Sequence, residues 1–292
     1  MGTGAWTTTA FADYTTTTKA TVSLDDFYKT NYSAQDLFKG RHMDPLLDPK
    51  NVIRECCDSD EHPYTIPVIL ALDVTGSMGN AAVKTAKELD RIITSCYDLV
   101  QDVEFCIMGI GDLNYDYSPI QISQFESDIR IAQWLDKIYF ERGGGGNLSE
   151  DYTAAWYMGL HHCDLDCWKR GKKGIIITLG DECPNTYLDT RFLERVTGDN
   201  HFQSETVETK DLYPLAREKF DIYHISIDDP DSCYEWYRNT YGVDQKWKNL
   251  LGQNYRVSTL DGLAATIVNI IANQTSNIGI DSQQDNNDVI TW

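Results

Sequence analysis

Ile66-Pro67-Val68-Ile69-Leu70-Ala71-Leu72-Asp73-Val74-Thr75-Gly76-Ser77 is the stretch whose reading decides the fold. An apolar run rich in β-branched residues, closed by a glycine, predicts a buried strand ending at a loop, and such strand ends are where open α/β sheets bind ligands. Asp73, Thr75 and Ser77 then emerge together as one carboxylate and two hydroxyls, hard oxygen donors suited to a hydrated Mg2+. Ala82, Ala86, Leu89, Ile93 and Cys96 follow at spacings of four, three, four and three, which predicts an amphipathic helix packed back onto the sheet. A plainer alternative makes Thr75 and Ser77 simple helix caps, so the rest of the chain has to decide.

The alternation continues downstream. Residues 103–110 read as a second strand, ending in Gly109-Ile110-Gly111-Asp112, and residues 119–125 as a half-exposed antiparallel edge strand. Ile131, Trp134, Leu135 and Ile138 mark another amphipathic helix. Gly143-Gly144-Gly145-Gly146 precedes Asn147-Leu148-Ser149-Glu150, where Asn147 and Glu150 suggest a capping pattern for a helix bearing Tyr152, Ala155, Trp156, Gly159 and Leu160. Gly174-Ile175-Ile176-Ile177-Thr178-Leu179 is the next clear strand and runs into Gly180-Asp181-Glu182. Residues 214–219 predict a helix, 222–227 a strand, 234–251 a helix broken at Gly242, and 255–257 a last strand. Ser258 and Asp261 then predict the capped start of a closing helix. Strands separated by helices imply an α/β fold: a doubly wound, mainly parallel central sheet with helices on both faces and one antiparallel edge strand. The periodicity of residues 185–211 favours neither helix nor strand.

At 292 residues and 41% hydrophobic content, the chain is long enough for one large core with additions. Its 45 acidic against 25 basic residues give a net charge of -20, which repels phosphate backbones and anionic membrane surfaces, so nucleic acid and membrane are not expected partners. With neither a secretion-type amino end nor an apolar run of spanning length, a cytoplasmic protein is the expectation. The eight cysteines then read as mostly free, buried thiols. Cys163 and Cys167 are spaced for zinc, but no second spaced pair completes four ligands, and a helix end with ordinary thiols is the simpler reading. Residues 1–62 form an amino-terminal extension, partly irregular. Its first 22 residues have too few aliphatic positions for a core and read as an extended arm, and two helix starts follow at Ser23 and Ser33. The segment from Arg54 to His62 reads as a solvated acidic loop, and residues 275–292 as a polar tail.

Three loops together resemble the von Willebrand factor A (vWA) domain, over residues 63–274. Asp73-Val74-Thr75-Gly76-Ser77 resembles the Asp-x-Ser-x-Ser opening of that family's metal-ion-dependent adhesion site (MIDAS), with Thr75 in place of a serine. The glycine loop resembles its second metal loop but puts Gly146 where the family has threonine, so Asn147 or Ser149 must supply the oxygen. Gly180-Asp181-Glu182 resembles the third, with Asp181 as the metal aspartate and Glu182 as the alternative acid. The form of these loops looks most like uncharacterised bacterial and phage vWA proteins. The resemblance implies a Rossmann-like vWA fold. It further implies Mg2+ (with Mn2+ or Ca2+ as alternatives) held by Asp73, Thr75, Ser77, Asn147, Ser149 and Asp181, and a non-catalytic module that engages a carboxylate of a protein partner. An AAA+ ATPase is a partner the resemblance allows. The rival reading is a Mg2+-dependent phosphotransferase of haloacid dehalogenase type with Asp73 as nucleophile. It wants a second acid where this chain has Thr75, and gives the glycine loop no role.

Overall fold

The computed structural model describes residues 4–100, 102–141, 149–228 and 234–281, and the backbone alone at Ser77, at residues 234–235 and at 275–281. Six strands form the central sheet: β1 (Ile66–Asp73), β2 (Val103–Ile110), β3 (Ile120–Ile122), β4 (Gly174–Gly180), β5 (Phe220–Asp228) and β6 (Tyr255–Thr259). Their spatial order is β6-β5-β4-β1-β2-β3, parallel throughout except for β3, which runs antiparallel to β2. The expected α/β architecture, with one antiparallel edge strand, is therefore what the chain adopts. Every residue of β1 after Ile66 is buried, as a strand covered on both faces must be.

Period-two alternation along the strands divides the core in two. Leu70, Leu72, Ile107, Ile177 and Ile225 face the Gly79–Leu99 and Leu263–Asp281 helices, which bring Ala82, Leu89, Ile93, Ile267 and Ile271. On the opposite face, Ile69, Ala71, Met108, Ile176 and Ile222 meet Trp156, Leu193, Leu212 and Trp247. That second face explains the Ala154–His161 helix, which is buried nearly all round and lacks a polar side.

Several expectations are corrected. The amino-terminal segment is a helix, Thr8–Thr18, rather than an extended arm, with the Thr7 side chain accepting from the Ala10 amide. It has no core of its own because Trp6 and Phe11 join the core under the Gly79–Leu99 helix. Trp6 Nε1 donates to Asp90 Oδ1 at 2.8 Å, and among the described residues the only other hydrogen bond to that oxygen comes from Thr94 Oγ1 at 3.5 Å. Trp6→Phe is expected to cost about 1–2 kcal/mol, the loss of one donor to a buried charged acceptor, measured by urea unfolding followed by circular dichroism. The helix starts read at Ser23 and Ser33 are present, the second as a full capping box.

The edge strand β3 is buried along its whole length rather than half-exposed. Gln121 misled the alternation. Its amide donates to Tyr139 O and accepts from Tyr139 N, both at 2.8 Å, so a polar side chain is covered by backbone instead of water. Arg54–Cys56 is not loop but a short strand parallel to Cys163–Leu165. Residues 185–211 hold a two-stranded pair, Tyr187–Asp189 with Thr206–Glu208, around a helix at Thr190–Thr197 capped by Asp189. The next helix begins at Thr209, not 214, and carries Pro214 inside. The closing helix begins at Leu263, because Ser258 is still part of β6. It runs through 281, so the expected polar tail is helical in its first part, while Val289 to Trp292 lie outside the described residues. Among the described residues, no helix is long and apolar enough to cross a membrane.

Candidate functional site

The carboxyl ends of β1, β2 and β4 deliver Asp73, Asp112 and Asp181, each buried. Parallel strands in register make this convergence unavoidable: Leu72 lies beside Leu179 and Asp73 beside Ile110, so the residues that follow share one end of the sheet.

Asp73 is 1% exposed and both of its oxygens are engaged. Oδ1 accepts from the Thr75 amide at 2.9 Å and the Thr75 hydroxyl at 2.6 Å. Oδ2 accepts from the Tyr152 hydroxyl at 2.7 Å, and that hydroxyl in turn accepts from the Glu182 amide at 3.3 Å. Burial raises the Asp73 pKa, and the bonds from Thr75 and Tyr152 work against that rise. Sequence reasoning assigned Tyr152 to an apolar helix face, whereas it precedes the helix and reaches across β4 to the acid. Gly180 makes this possible, since a Cβ there would lie 2.1 Å from the Tyr152 hydroxyl oxygen. No pattern in the sequence pairs those two residues.

The loop leaving β2 is folded by carboxylates. Asp112 Oδ1 accepts from the Asn114 amide at 2.7 Å, Asp116 Oδ2 from the Asp112 amide at 2.7 Å, and Asp151 Oδ2 from the Leu113 amide at 2.7 Å. The last bond ties this loop to the exit of the glycine loop. Ser149–Glu150 forms a short parallel strand with Cys183–Pro184, which replaces the capping role expected of Glu150; the helix that follows starts at Ala154 without a side-chain cap. Ser149 therefore sits opposite Cys183, beside the β4 loop that carries Asp181 and Glu182. Asn147 and the four glycines lie outside the described residues, and of Ser77 only the backbone is described.

These acids crowd one another. Burial, with the charges of Asp73 and Asp181 added to it, pushes Glu182 up to about 8. Burial and the charges of Asp73, Glu182, Asp116 and Asp112 raise Glu150 much further. Burial brings Asp151 to about 7 and Asp116 to about 6. Glu150 Oε2 and Glu182 Oε2 are buried with no hydrogen-bond partner among the described residues. Among those residues, none of Asp73, Asp116, Glu150, Asp151 and Glu182 is ion-paired to a lysine or arginine.

Among the described residues, no three His, Cys, Asp or Glu side chains converge tightly enough to form a metal shell on their own. The chemistry of the donor set nevertheless fits a hard divalent cation. It consists of carboxylate and hydroxyl oxygens, desolvated and mutually repelling, with two acceptor atoms unsatisfied. The Cys163 and Cys167 thiols lie elsewhere, buried and free, and burial pushes both up in pKa.

No protein-family model matches the chain, and no curated protein matches it. Among solved structures it is similar to the pilus adhesin SpaC from Lactobacillus rhamnosus GG in two crystal structures, one an open conformation. The TM-scores are 0.49 and 0.46 at 15% and 17% identity, over 78% of this chain. The matched part spans 31% and 32% of the adhesin chain, about a third of its length. It is also similar to a conserved hypothetical protein, BatB from Bacteroides thetaiotaomicron, with a TM-score of 0.43 and 14% identity over 73% of this chain and 98% of that one.

Proposed function

We propose that this chain is a non-catalytic, metal-dependent protein-binding module of the vWA type, whose site takes Mg2+ and through it a carboxylate of a partner protein. The observation that carries the reading is the set of buried acids at one end of the parallel sheet, with the Glu150 and Glu182 oxygens left unsatisfied. Isolated buried carboxylates are costly, and a chain keeps them together where a cation neutralises them. Asp73, Thr75, Ser77 and Asp181 would hold the ion, with Asn147 or Ser149 adding a ligand from the glycine loop. Bound Mg2+ supplies a positive centre able to accept a further oxygen ligand from outside the protein.

The chain's own residues prepare that centre. Thr75 and Tyr152 fix the Asp73 carboxylate from two sides, and the Ser149–Glu150 pairing holds the glycine-loop exit against the β4 loop. A carboxylate partner suits an acidic surface only when the ion offsets the repulsion between them, which makes binding strictly metal-dependent. An AAA+ ATPase is one class of partner consistent with the sequence resemblance.

The test is thermal. Mg2+ or Mn2+ at about 100 times its Kd is expected to stabilise the wild type by ~2.7 kcal/mol through selective binding to the folded state, and to shift Asp73→Ala far less. Equal melting shifts in the two proteins would remove the metal site from the account.

A further inference from the structure

A cavity of about 470 Å3 opens at the other end of the sheet, where β1 and β4 begin, lined by Tyr64, Ile66, Cys167, Arg170, Lys172 and Lys173. Its volume lies in the range of small-molecule sites. Its cations come from Lys169-Arg170-Gly171-Lys172-Lys173, a basic run in a chain whose net charge is -20.

The cations differ in what they already hold. Arg170 is committed to the fold: one guanidinium nitrogen pairs with Asp58 and another donates to Thr65 O at 2.7 Å. Lys173 donates to Arg217 O at 2.6 Å and has Asp221 at 3.9 Å. Lys172 is half-buried, yet among the described residues its ammonium has neither an ion pair nor a hydrogen bond. An anion in the cavity gives this ammonium the charged partner that the described residues do not supply. At the mouth, Tyr64 is 69% exposed and has the Arg170 guanidinium 6.0 Å from its ring centroid. Its backbone amide is anchored to Asp102 Oδ2 at 3.2 Å, so the ring stands on a fixed segment. An unpaired ammonium, an exposed aromatic ring and the apolar Ile66 and Cys167 side chains, all lining one cavity, suit a phosphate joined to a planar ring.

We propose that this cavity is a binding site for a nucleoside monophosphate, with the phosphate on Lys172 and the base against Tyr64. The site is separate from the carboxylate cluster and does not depend on it.

The experiment is isothermal titration calorimetry with AMP, adenosine and inorganic phosphate as probes, run in EDTA so that the acidic end contributes no metal-bridged binding. AMP is expected to bind with Kd below about 1 mM, with adenosine and inorganic phosphate each about tenfold weaker. Lys172→Gln is expected to weaken AMP about tenfold or more and Lys172→Arg to restore most of the affinity, while Tyr64→Ala costs about threefold to tenfold. Asp73→Asn leaves AMP affinity unchanged. The Tyr64→Ala arm stands by itself should Lys172→Gln fail to fold. Absence of saturable AMP binding to about 5 mM, a Kd insensitive to both positions, or inorganic phosphate binding as tightly as AMP would each overturn the proposal.

Discussion

Gly180→Ala is expected to destabilise the protein by about 3 kcal/mol or more and to lower the melting temperature by roughly 6–12 °C, although it adds a single methyl group. The Cβ would lie 2.1 Å from the Tyr152 hydroxyl oxygen and 2.3 Å from two of its ring carbons, distances that real Cβ atoms do not show. Neither side can yield cheaply. Gly180 closes β4 in the middle of the sheet, and the Tyr152 ring is fully buried edge-on against the stacked His224 and Trp247 rings, with centroids at 5.0 and 5.5 Å. Pushing Tyr152 aside also strips Asp73 Oδ2 of its donor, and a buried carboxylate that loses a hydrogen bond pays a further penalty. A double-mutant cycle checks the cause. Tyr152→Leu removes the clash as well as the bond, so Gly180→Ala in that background is expected to cost far less than in the wild type. Equal costs in the two backgrounds would show that the strain lies in the β4 backbone and not in Tyr152.

Much of this architecture was legible because burial on both faces writes itself into a strand as a continuous apolar run, as at Ile66–Asp73 and Gly174–Gly180. The loops at those strand ends followed from the strands, so Asp73, Asp112 and Asp181 could be brought to one end of the sheet from chain order alone. What the sequence hid was every case where a side chain is satisfied by something distant. Gln121 looked solvent-facing because nothing local announces Tyr139 as its partner. Tyr152 looked like an ordinary helix aromatic because its partner, Asp73, is 79 residues away. The amino-terminal helix leaves no period in the sequence because its buried residues, Phe11 and Thr15, are too few to show one. The Asn147 and Glu150 spacing suggests a helix cap, and the structure instead uses Glu150 as a strand residue among acids, a role visible only once β4 is in place.

In the absence of metal, stability is expected to fall as pH rises from about 6.5 to 8, opposite to the usual behaviour of a protein whose carboxylates are stabilised by partners. Glu182 and Asp151 titrate near 8 and 7 in the folded chain, chiefly because burial disfavours their charged forms, and Glu150 is raised further for the same reason. In the unfolded chain such groups have lost their protons by about pH 5. Across this window the folded state therefore binds more protons than the unfolded one, and stability must decrease with pH until the folded groups have ionised. Buried His224 and the partly buried His161 have the opposite sign: burial lowers both, so their contribution rises with pH, but it is complete near the ordinary histidine value and does not reach the upper part of the window. Melting curves in EDTA at pH 6.5, 7.2 and 8 test the slope, and Glu182→Gln is expected to flatten it by keeping that side chain neutral throughout. The same acids set the response to Mg2+. A cation held by Asp73 and Asp181 favours the ionised forms of these neighbouring acids, so its stabilising effect is expected to be small at pH 5.5 and largest at pH 8, where ionised oxygens repel one another and the cation relieves them. A Mg2+ shift independent of pH would mean that the ion binds somewhere other than this cluster.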